Sequence, residues 1–199
     1  MNEVRLLEEQ LGGRWTGITF HRKTPGKENL AKWPMRLCQA VKESYTRPIV
    51  LTRHFVNCPG ALRSLGWMTK QDEIIAQKIV QAAGIKADVA LELIRNTPCL
   101  NGEITAVSVG ANNSPDIVIS YAQPEVAMRL VRRWQQVYGT VLSAEASGVM
   151  AVCGSVIVGT YKTDRICLSF GCPDSRQYGA IGSDRLVIGL PVSLIKTLF

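Results

Sequence analysis

The feature that most constrains this chain is the order of its short strand-like and helical segments. Residues 4–11 space their apolar side chains as a helix does and run into Gly12-Gly13, which read as its stop. Residues 15–21 alternate like a strand. A helix entered through Pro34 is predicted over residues 35–45, and a short strand over 48–52. Residues 71–83 and 87–95 read as two helices separated by Gly84-Ile85-Lys86. β-Branched runs at 104–109 and 117–121 predict strands joined by the loop "GANNSP", and 124–138 predicts a helix closed by Gly139. Strands follow at 165–170 and 185–190, then a terminal helix at 191–198. The stretch "GVMAVCGSVIVGTY" is apolar on every side, so a buried helix and a buried strand fit it equally.

No strict strand–helix–strand beat runs through this order. It therefore predicts one α+β domain over residues 1–199, with helices packed on a largely antiparallel or mixed sheet. A length of 199 residues allows one ample core, and no Ser- or Gly-rich linker divides it. No apolar run approaches the ~20 residues of a membrane span. The N-terminus "MNEVRLLEEQLGG" lacks the basic and apolar regions of a signal peptide, so the cytoplasm is the expected compartment. In that reducing setting, six cysteines read as ligands, nucleophiles or core residues and not as a disulfide framework.

The formal net charge of +7 raises the question of nucleic acid. The basic residues are scattered, with small clusters at "FHRK" and "RLVRRW". On the helix predicted for 124–138, Arg129, Arg132 and Arg133 share one face, while Met128, Val131 and Trp134 mark another, expected to be buried. That pattern describes a solvated helix face and argues against nucleic acid as a partner.

Chemistry concentrates in two echoed segments, "VNCPGALRSLG" and "LSFGCPDSRQYGAIG". Each sets a Cys before a Pro, followed by an Arg and a Gly. With Pro59 and Pro173 in the first turn of short helices, Cys58 and Cys172 become N-caps. Unpaired backbone N–H groups and the helix dipole are then expected to favour a thiolate at each mouth. Arg63 and Arg176, a turn further on, are placed to hold an anionic ligand. Cys-Pro also occurs at iron–sulfur ligands, yet no local cysteine clip is present. A metal site must be assembled from Cys38, Cys58, Cys153 and Cys172, which are distant in sequence. The competing reading is plain burial, common for cysteine. It is the favoured one for Cys167, expected in a core strand, and for Cys99 after Pro98. His21 and His54 lack zinc-ligand spacing, and no phosphate loop, dinucleotide fingerprint or nucleophile elbow appears.

The segments "WPMRLCQAVKESY", "NCPGALRSLG", "PDIVISYAQPEVAMRLVRRW", "AVCGSVIV" and "ICLSFGCPDSRQYGAIGSDRLVIGLP" together resemble domain of unknown function family 169, an archaeal cysteine-rich family. Residues 1–32 resemble it least. Cys38, Cys58, Cys153, Cys172 and Arg176 match recurring family positions, whereas Cys99 and Cys167 do not. The resemblance implies an anaerobic setting hospitable to iron–sulfur or other transition-metal chemistry, but it assigns no roles. The expected partner is a small anionic ligand or a metal cofactor, and self-association stays open. Three readings compete. The first is a metal-binding protein using the four dispersed cysteines. The second is a cysteine-dependent enzyme with Cys172 as nucleophile on a small anion held by Arg176. The third is a cofactor- or partner-binding module whose cysteines are structural.

Overall fold

The computed structural model describes residues 2–68, 84–110, 114–144 and 146–199. Its elements, in chain order, are α1 (Glu3–Leu11), β1 (Thr16–His21), α2 (Leu37–Glu43), β2 (Ile49–Thr52), α3 (Pro59–Ser64) and α4 (Ala87–Asn96). There follow β3 (Ala106–Val109), β4 (Ile117–Ala122), α5 (Pro124–Tyr138), a π-helix (Ala151–Val158) and α6 (Gly159–Thr163). The chain closes with β5 (Cys167–Ser169), α7 (Pro173–Tyr178), β6 (Leu186–Pro191) and α8 (Val192–Leu198). The helix predicted over 71–83 lies outside the described residues, as do residues 111–113 of the "GANNSP" loop.

The six strands form one sheet in the order β2-β3-β1-β4-β6-β5, with every neighbouring pair antiparallel. The fold is α+β, as the mixed element order predicts. Strand periodicity sorts the core into two sides. On β4, Ile117, Ile119 and Tyr121 join one cluster, while Val118 and Ala122 join the other. Because β4 is covered on both faces, all six of its residues are buried, and its sequence shows no polar alternation. Helices α1, α5 and α8 cover one face; α2, α3 and the π-helix cover the other. Among the described residues, no helix is long and apolar enough to cross a membrane.

Two sequence expectations are corrected in detail. The helix predicted from residue 35 begins at Leu37, because Met35 pairs its backbone with the chain at Val56 instead. The Met35 N–H donates to the Phe55 carbonyl at 2.9 Å, and the Met35 carbonyl accepts from the Asn57 N–H at 3.2 Å. On α5, Met128 is 45% exposed, and Val126 and Leu130 are the buried residues. The inward stripe is thus displaced from the predicted one, with Trp134 half-buried at its edge. The arginines of α5 are largely committed. Arg129 pairs with Glu125 at 2.6 Å, and Arg133 donates to the Leu198 carbonyl.

The ambiguous apolar stretch is helical. Met150 enters it in the left-handed conformation (φ 49°), and its carbonyl accepts from the N–H groups of both Gly154 and Ser155. The wider π-turn follows this bifurcated start. Nearly all of the segment is buried, which explains why it carries no amphipathic signal. Close approach to α3 depends on missing side chains. A Cβ on Gly60 would lie 2.8 Å from Met150 Cγ, and one on Gly154 would lie 2.9 Å from Ser64 Oγ.

Candidate functional site: thiols around one apolar cavity

The two Cys-Pro segments fold as their sequence predicts. Cys58 is the N-cap of α3 and Cys172 the N-cap of α7, each followed by Pro at the first helical position. At the second mouth, the Cys172 N–H donates to Ser175 Oγ at 2.8 Å, and that hydroxyl donates to the Cys172 carbonyl at 2.9 Å. Gly171, at φ 80°, makes the sharp turn from the strand into α7.

A cavity of about 190 Å³ opens between these mouths and the π-helix. Cys58, Cys153 and Cys172 all line it, although they are far apart in sequence. Its remaining wall is mostly apolar, with Met68, Ile85, Ile94, Val149 and Met150, while Arg63 and Asp174 supply polar groups. Cys38 does not line the cavity. It sits beside it on α2, buried, and close enough that its charge would repel those of Cys58 and Cys172. The four cysteines singled out in the sequence therefore share one neighbourhood. Among the described residues, no three His, Cys, Asp or Glu side chains gather into a site for a single metal ion.

The electrostatics correct one expectation. The helix mouth was expected to favour ionisation of Cys58, and the Gly60 and Ala61 N–H groups and Arg36 do act in that direction. Burial nevertheless outweighs them and pushes the Cys58 thiol up. Burial also pushes Cys38 up to about 12 and Cys153 well above the ordinary thiol range. In each case the neighbouring sulfurs add to the effect, since a second thiolate would repel the first. These three thiols are protonated near neutral pH.

Arginine placement also departs from the sequence reading. Arg63 lines the cavity and donates to the Thr97 carbonyl at 3.3 Å. Arg176 is not among the lining residues. Its guanidinium donates to the carbonyls of Ile181 (3.4 Å), Gly182 (2.7 Å) and Arg185 (3.3 Å), which fixes the loop behind α7. The residue that sequence reasoning missed is Arg36, the N-cap of α2. Its charge favours ionisation of Cys58, it pairs with Asp174 at 3.5 Å and it lies over the Tyr178 ring at 3.9 Å. Its position two residues before Cys38 was a visible signal, but the contacts are all made across the fold.

The remaining candidates sit elsewhere. His21 Nε2 shares a hydrogen bond with Ser108 Oγ at 2.7 Å, a sheet contact. Cys99 lines a separate polar crevice and accepts from Lys162 Nζ through its carbonyl at 3.0 Å. Cys167 lies on the edge strand β5 opposite Gly189 and is only half-buried, not fully in the core.

A relative from Methanocaldococcus jannaschii, itself an uncharacterised protein, is 26% identical over 84 residues, which is 42% of this chain and 36% of that protein. The chain thus matches about a third of that relative's length. No solved structure matches. The model of the uncharacterised ArCR family, domain of unknown function 169, matches residues 11–199. That span takes in β1, so the family extends further towards the N-terminus than the sequence motifs suggested, and it includes all four clustered cysteines. By that match the chain belongs to the ArCR family, domain of unknown function 169.

Proposed function

We propose that this chain is a thiol-centred binding protein whose cavity takes a thiophilic metal centre, an iron–sulfur cluster being the class that fits best. Cys58, Cys153 and Cys172 line it, and Cys38, beside it on α2, is the nearest further thiol. The observation that carries the reading is the convergence of three sequence-distant cysteines on one largely apolar cavity. Four thiolates are the common complement of a cluster. A single tetrahedral ion needs all its sulfurs about 2.3 Å from one point, and no such group gathers among the described residues. A cluster ligated at separate iron atoms tolerates wider spacing. Protonated, buried thiols suit a metal-free site, because the metal takes the place of the protons as it binds.

The test is anaerobic reconstitution with iron and sulfide. The expected product is a coloured protein with stoichiometric iron and sulfide. Single Ser replacements of Cys58, Cys153 or Cys172 should lose it, and those of Cys99 or Cys167 should retain it. A wild-type chain that stays colourless and iron-free contradicts the reading. One observation favours a second reading, covalent chemistry at Cys172: this thiol is half-buried at a helix mouth facing the cavity. Any anion held there would meet Arg63, which lines the cavity, whereas Arg176 does not.

A further inference from the structure

The metal reading uses the thiols of the cavity and leaves the rest of its wall unexplained. Met68, Ile85, Ile94, Val149 and Met150 make that wall apolar. Cys58 and Cys153, protonated near neutral pH, behave there as small hydrophobes. Two charged residues break the surface, Arg63 and Asp174. Asp174 is offset by Arg36, whose Nη1 stands 3.5 Å from its Oδ2. Arg63 has no carboxylate partner among the described residues. Its Nη1 donates to the Thr97 carbonyl at 3.3 Å, which uses one of the several N–H donors of a guanidinium. An apolar chamber with one uncompensated cation suits an anion that carries an apolar body.

Size and charge narrow the class. A dry apolar cavity of about 150 Å³ takes up benzene. The volume of about 190 Å³ found here admits a ring or a branched chain bearing one small polar group. We propose that this cavity binds a small monocarboxylate with a compact aromatic or branched aliphatic body, its carboxylate on Arg63 and its body against Met68, Ile94, Val149 and Met150. A planar guanidinium fork matches the two oxygens of a carboxylate. A phosphate dianion would leave one charge uncompensated in apolar surroundings, which is costly. The inference rests on the wall of the cavity and needs neither a metal nor a reaction at Cys172.

The experiment is an NMR titration of the full chain, reduced and metal-free, with isotope-labelled methionine methyl groups. Met68 and Met150 line the cavity, whereas Met35 is buried elsewhere in the core and Met128 is exposed on α5. Benzoate and isovalerate, the probes, should shift the Met68 and Met150 signals and leave Met35 and Met128 in place. Benzamide keeps the ring without the charge, and acetate keeps the charge without the body; each should bind about tenfold more weakly than benzoate, or worse. Arg63→Gln should weaken benzoate about tenfold and leave benzamide unchanged. The inference is overturned if neither probe moves Met68 or Met150 at about 10 mM, a weak limit for ligands of this size. Equal affinity for benzoate and benzamide, or for benzoate and acetate, overturns it too, as does unchanged benzoate binding in Arg63→Gln. If Arg63→Gln fails to fold, the wild-type comparison of benzoate with benzamide decides. Metal uptake is not read in this titration, so a negative result leaves the metal reading standing, and a chain that stays colourless on reconstitution leaves this inference standing.

Discussion

Replacing Gly154 by Ala tests the packing that brings Cys153 to the cavity. The added Cβ would stand 2.9 Å from Ser64 Oγ and 3.4 Å from Met150 Cβ, and closer still to the Thr97 methyl. Ser64 has little freedom to retreat, since its hydroxyl donates to the Gly60 carbonyl at 2.7 Å. Thr97 is held similarly through its bond to the Leu93 carbonyl at 2.8 Å. Overpacking of this kind costs about 1–3 kcal/mol, and the helix preference of Ala over Gly returns up to about 1 kcal/mol. The difference spans about 0–3 kcal/mol, and the close approach to Thr97 and Ser64 puts the expected loss in the middle of it, at about 1–2 kcal/mol, which lowers Tm by roughly 2–8 °C in a chain of this size. The assay is urea unfolding by circular dichroism beside a thermal scan. Gly26→Ala is the control, because nothing lies within 4 Å of its added Cβ and its φ is not in the left-handed range. If Gly154→Ala is as stable as Gly26→Ala, α3 and the π-helix are not in the contact described, and the placement of Cys153 fails with it.

Tyr121→Phe should cost about 1–2 kcal/mol, read by the same unfolding assay, because the buried Tyr121 hydroxyl donates to the Cys38 carbonyl at 2.8 Å. Arg176→Ala should destabilise by about 1–3 kcal/mol and loosen residues 181–185, seen as faster amide exchange there, since three carbonyl bonds are lost. In the metal-free protein, stability should fall as pH rises. The Cys38 thiol ionises from its ordinary 9.0 in the unfolded chain but only at about 12 when folded, so the unfolded state releases its proton first. The loss begins near pH 9 and continues towards pH 12, and Cys38→Ala should make it shallower in urea titrations across that window, the remainder coming from the raised Cys58 and Cys153 thiols.

Legibility in the sequence followed the range of the interactions. The N-cap positions of Cys58 and Cys172 were readable because a Pro at the first helical position and the glycines beside it act within a few residues. The extent of α5 was readable from Pro124 and Gly139, but its buried stripe was not. Val126 and Leu130 face α1 and β4, and nothing local says which side those will occupy. The π-helix escaped because burial on all sides removes the periodic signal. Arg36 was missed for a related reason. Asp174 and Tyr178, which it contacts, and Cys58, whose ionisation its charge favours, come from α7 and α3, and only the assembled fold brings them together. Arg176 shows the converse. Its spacing from Cys172 suggested an anion ligand, while the chain uses it to hold its own loop.

Differential alkylation, resolved by mass spectrometry at each of the six cysteines before and after anaerobic loading, tests the central claim most directly. The account predicts that Cys58, Cys153 and Cys172 gain protection together on loading, in proportion to the metal bound. Cys99 and Cys167 should react as before, and Cys38 should stay unreactive in both states. Protection confined to Cys99 or Cys167, or metal uptake with Cys58, Cys153 and Cys172 unchanged, would contradict it.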